Sequence, residues 1–168
     1  MKRYSSILRV TGFALLFGMA CAPAYAAYPA VFVDHASAKS MAVIQTSQLA
    51  LEKSQSEDVK NFAQLMIKDH TDANQKLATV AKALKVPLAR ETELMDRTKN
   101  MILQYRGASF DNAYVSNQVK AHEAIIQLFE DEVRTSQTPA LTAFAKETLI
   151  TLQEHLKMAK QLQAKYNE

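Results

Sequence analysis

Apolar residues recur every three or four positions along most of this chain, the spacing of one face of an α-helix. The clearest run is Val59, Phe62, Met66, His70, Ala73, Leu77, Val80 and Leu84. It predicts a helix that Ser56 caps, with Glu57 and Asp58 in the first turn where the helix dipole favours negative charge. Lys85-Val86-Pro87 ends it. Val115, Val119, His122, Ile126, Phe129 and Val133 predict a second long helix from about Phe110 to Arg134, capped by Ser109. Thr138-Pro139 is a strong start signal for a third, whose stripe runs from Leu141 through Thr148, Leu152 and His155 to Tyr166. Upstream, a helix is expected from Asp34, as N-cap, to Lys53. Its stripe of Ala38, Met41, Ala42, Gln45 and Leu49 is less regular. Residues 27–33, with Pro29 among them, read as an extended lead-in.

The tripeptide Ser54-Gln55-Ser56 leaves room only for a tight turn, so the helices it joins are antiparallel. The stretch between Leu84 and Phe110 is different. Glu91 to Arg106 reads as a shorter amphipathic helix, with Gly107 suited to the left-handed position after its end. Sixteen helical residues rise about 24 Å, enough to return the chain along a bundle. The expectation is therefore an all-α, ferritin-like, up-down-down-up four-helix bundle with an extra short helix in the crossover. Residues 34–168 form its single domain.

Composition agrees with helix: 3 Gly, 4 Pro and no Trp in 168 residues. The formal charge of +3 changes meaning once the N-terminus is read. Lys2, Arg3 and Arg9 precede the apolar run Val10–Ala20, and Ala24-Tyr25-Ala26 supplies small residues for a cut after Ala26. This is the pattern of a signal peptide, residues 1–26. The run is short of the ~20 residues a membrane anchor needs. A lipoprotein cut before Cys21 is disfavoured because Gly18-Met19-Ala20 lacks a Leu-like residue. Without the leader, 17 basic and 17 acidic residues remain, and no cysteine. No net positive field is left to attract nucleic acid. The expected mature chain is exported to the periplasm, without a transmembrane span, in the aqueous space or at the outer membrane.

Three histidines stand where a core would take Leu or Ala: His70, His122 and His155, one on each of three helices. Counting from the expected turns places them at one depth, with Met41 or Gln45 of the first helix level with them and Met66 a turn above. Two readings stay open. The imidazoles could bond to one another, to Gln45, to Thr148 or to trapped water, and so fix the helix register. They could instead hold zinc or copper, with thioethers from Met41 or Met66 favouring Cu(I). Asp69, Glu123 and Glu154 flank the histidines and are expected to face solvent, unless one orients a ring from behind. A di-iron oxidase needs Glu-x-x-His pairs, but Ile67, Val119 and Leu152 stand three residues before the histidines. No phosphate loop or nucleophile elbow is present. The expected role is non-enzymatic: metal binding, or an envelope stress or interaction protein whose histidines are structural, with a small organic ligand as a further alternative. The partners left are a metal ion, an envelope protein or a second copy of the chain. His35 and the run Glu130-Asp131-Glu132 read as surface.

Three blocks carry a resemblance. They are Val59-Lys60-x-Phe62-Ala63-x-x-Met66-x-x-Asp69-His70, then Phe110-Asp111-x-Ala113-Tyr114 with Val119-x-x-His122, then Phe144-Ala145-x-x-Thr148-Leu149-x-x-Leu152-x-x-His155. In this order, between Phe32 and Gln161, they resemble an exported bacterial family catalogued as domain of unknown function 4142. The resemblance implies a ferritin-like bundle in the cell envelope with no settled activity. Members often carry Glu where this chain has Gln45, so a carboxylate that could serve as a ligand is missing here.

Overall fold

Two hairpins of long helices account for the fold. A computed structural model describes residues 24–88 and 108–166. Helix α1 is Ala24–Lys53, α2 Glu57–Ala83, α3 Ala108–Thr135 and α4 Pro139–Tyr166. Each spans about 40 Å at 1.5 Å per residue. No strand occurs among the described residues. The expected leader up to residue 23, and the short helix expected at 91–106 with Gly107, lie outside them.

Contacts between helix ends give the directions. Ser47, near the top of α1, meets Tyr114, near the start of α3. Phe62, early in α2, packs edge-on against Tyr114. Lys165, at the end of α4, pairs with Asp58 at the start of α2. At the other end Phe32 of α1, Phe129 of α3 and Phe144 of α4 pack ring to ring. The order is therefore up, down, down, up. Antiparallel helices are neighbours throughout: α1 lies against α2 and α3, and α4 against α3 and α2.

Local chemistry explains the ends. Ser56 accepts the Val59 N–H at the start of α2. At its other end Lys85 donates to the Lys82 carbonyl and Val86 to the Ala81 carbonyl, a Schellman closure. Lys85 sits there at φ 56°, a left-handed position that glycine more often fills. Pro139 opens α4, and the Thr138 carbonyl accepts from Leu141 and Thr142.

Four expectations are corrected. Residues 27–33 are helical, and Asp34 lies inside α1 rather than capping it. Burying Phe32 and Val33 against the other helices outweighs the single hydrogen bond that Pro29 removes. Ser109 lies inside α3, which starts one residue earlier. The inward face of α1 is not the stripe through Met41 and Gln45, which are only half-buried. It is a seven-residue repeat: Val33, Ser40, Ser47 and Ser54, with Ala36, Val43 and Ala50 between them. Small residues there let α1 approach its neighbours closely. Finally, Glu132 does not face solvent; it is 1% exposed.

Neither carboxylate oxygen of Glu132 has a hydrogen-bond partner. Burial pushes its carboxyl above the ordinary value of 4.5. The Ser136 hydroxyl, one turn on, opposes this shift. The folded chain thus keeps a proton that the unfolded chain gives up, and stability is lost as pH rises above about 4.5. Glu132→Gln should raise stability by about 1–2 kcal/mol at pH 7, and the gain should vanish near pH 4. Urea denaturation at the two pH values checks this.

Candidate metal centre

The register of α2, α3 and α4 brings His70, His122 and His155 into one layer, each no more than 3% exposed. Ring centroids are 5.4, 5.6 and 5.5 Å apart, a nearly equilateral triangle. One ring nitrogen from each residue lies within 4.8 Å of the others. His35 is exposed and takes no part.

The outer nitrogen of each ring is held, and the bonds decide where the lone pairs point. His122 Nδ1 lies 2.8 Å from the Gln118 carbonyl. A carbonyl only accepts, so His122 carries its proton on Nδ1 and its Nε2 is bare. His155 Nε2 donates to Asp69 Oδ2 at 3.0 Å, which leaves Nδ1 bare. That Nδ1 is buried and has no partner. Ser40 Oγ lies 3.0 Å from His70 Nδ1 and 3.2 Å from the His70 carbonyl. Given to the carbonyl, the serine proton leaves His70 Nδ1–H donating to Oγ and Nε2 bare; given to Nδ1, it leaves His70 Nε2–H to donate to His122 Nε2. His70 Nε2 and His122 Nε2 face each other at 3.3 Å.

Burial also sets the charge. Desolvation, with the neighbouring histidines, holds His70 well below the ordinary value of 6.5. Desolvation takes His122 down to about 4, against the pull of the Gln118 carbonyl. It lowers His155 too, although Asp69 opposes it. All three rings are neutral at pH 7, the form that binds a metal.

Sequence reasoning found the three rings but only one of their supports. Asp69 is half-buried against His155, while its other oxygen meets Lys68. Glu123 is exposed and pairs with Lys160. Thr148 is half-buried and donates to the Phe144 carbonyl. Met66 is fully buried a turn above His70, while Met41 and Gln45 lie at the flank of the α1 face. Ser40 and Gln118 were missed. Gln118 Nε2 donates to Thr46 Oγ1 at 2.9 Å, and its Oε1 is buried without a partner. The seven-residue repeat that places Ser40 in line with Val33 and Ser47 was the available signal.

The unfolded chain takes up protons below pH 6.5, whereas burial lowers all three imidazoles, His122 to about 4. The histidines' contribution to the stability of the metal-free protein is therefore complete above pH 6.5 and is lost as pH falls towards 4. In the Glu132→Gln variant, which removes the opposing carboxyl, urea midpoints should fall from pH 7.5 to 4.5, and adding His122→Leu should flatten the fall.

Comparison with known proteins gives a family and no activity. No curated protein and no solved structure matches the chain. The sequence model of the domain of unknown function 4142 matches residues 16–162, most of the chain, and the protein belongs to that family.

Proposed function

We propose that this bundle is an exported protein that binds one zinc or copper ion through His70, His122 and His155. The observation that carries the reading is the bare, buried Nδ1 of His155, next to the bare Nε2 of His122 and the Nε2 of His70 that faces it. A buried nitrogen without a partner costs about 1–3 kcal/mol, and a cation among the three rings removes that cost. A tetrahedral ion with Zn–N bonds of 2.0–2.1 Å spaces its nitrogens about 3.3 Å apart. His70 Nε2 and His122 Nε2 already stand at 3.3 Å. Imidazole suits zinc and copper, whereas calcium and magnesium want oxygen. Asp69 behind His155 and the Gln118 carbonyl behind His122 are the outer partners that metal-binding histidines use.

The competing reading makes the histidines a device for helix register. It draws support from the same 3.3 Å separation, which one proton could bridge. It leaves His155 Nδ1 unexplained.

Export rests on the leader. A cut after Ala26 would put Pro29 in the first turn of α1, where a missing N–H sacrifices no helical bond. Among the described residues no helix is long and apolar enough to cross a membrane.

Protein purified without an affinity tag should carry about one equivalent of metal per chain by elemental analysis. Zinc added to the metal-free form should raise its melting temperature, by the equivalent of about 4 kcal/mol at a thousandfold excess over Kd. Asp69→Asn should weaken binding about 10- to 100-fold, and His155→Leu should abolish it in a folded chain. Metal-free protein that neither zinc nor copper stabilises would sink the reading.

A further inference from the structure

A cavity of about 200 Å³ lies beside the histidine layer and opens between α2 and α4. All four helices wall it: Ala36 of α1, Leu77 of α2, Phe129 of α3, and Thr148 and Leu152 of α4 among others. Each of these lies one to three turns on the lower side of the histidines, towards the Phe32 end of the bundle. His70 and His155 form its upper wall. The other side of the layer is filled. Val43, Met66, Gln118 and Ala159, one turn above, are at most 1% exposed, and none lines the cavity.

Three imidazoles leave a tetrahedral ion one position short. With packed side chains above, that position faces the cavity below. The floor is apolar, from Leu77, Phe129, Phe144 and Leu152. Asp69, Asp72 and Glu147 stand at the wall against the single cation Lys76, which is paired with Glu147. Acids there disfavour an anionic guest. A cavity of about 150 Å³ already holds benzene.

We infer that this cavity is a binding pocket for an uncharged, roughly benzene-sized organic molecule that completes the coordination of the metal with one donor atom, its apolar body seated against Phe129, Phe144 and Leu152. The inference rests on metal binding by the three histidines. It gives the centre a ligand class and a direction of approach.

Cobalt(II) separates the two layers of the argument, because its visible bands report its own coordination. The full mature chain is loaded with cobalt and titrated with imidazole, 4-phenylimidazole and benzoate. The expected result is a saturable band shift with 4-phenylimidazole at least tenfold tighter than with imidazole, and a weaker response to benzoate. Thr148→Phe, which fills the lower cavity, should keep the cobalt bands, spare imidazole and weaken 4-phenylimidazole at least tenfold. Thr148→Leu should do the same to a smaller degree, and serves if the larger residue prevents folding. Cobalt bands that respond no better to 4-phenylimidazole than to imidazole, or that ignore both Thr148 variants, overturn the pocket and leave metal binding standing. No cobalt bands at all overturn metal binding, and the pocket with it.

Discussion

The hydrogen bonds behind the rings govern everything at the centre of this bundle. Gln118, Asp69 and Ser40 each occupy the outward nitrogen of a histidine. Once those nitrogens are engaged, the inward nitrogens of His122 and His155 have only lone pairs to offer. Lone pairs converging in a buried space repel one another. Proton uptake is not a ready remedy, because desolvation disfavours the charged ring. On the proposed function, an electron-poor ion among the rings would relieve that repulsion.

The same constraint explains why α1 looks as it does. A helix facing three imidazoles and packed against both α2 and α3 has little room. Ser40, Ser47 and Ser54, with Ala36 and Ala50, keep its inner face small. Their hydroxyls also work: Ser40 holds His70, Ser47 bonds Tyr114, and Ser54 takes the Ser56 N–H in the turn. Thr46 does the same for Gln118. The first helix contributes no candidate ligand. It contributes the alignment of residues on its neighbours.

What could be read in the residues follows from this division of labour. On α2 and α4 the core face is apolar apart from the histidines, so periodicity marked Val59, Met66 and His70, or Leu141, Leu152 and His155, without ambiguity. On α1 the inner face is largely hydroxyl and methyl, and a search for greasy stripes settled one residue off, on Met41 and Gln45. On α3 the row Asp111, Gln118, Ile125 and Glu132 is buried although three of its four members are polar. Polarity alone assigned Glu132 to the surface. Tertiary packing overrode it, at a cost visible in two carboxylate oxygens without partners. The start of α1 was missed because Pro29 is locally a helix breaker, while the burial that keeps the helix going is with α3, far away in sequence.

The two tight turns have a consequence for how the chain holds together. Residues 54–56 close the first hairpin and residues 136–138 the second, so each half is tied locally. His70 belongs to the first half, His122 and His155 to the second. An atom shared by the three rings would therefore rivet one half to the other. It would perform in this chain, whose single cysteine is Cys21, the office that cystine bridges perform in many secreted domains.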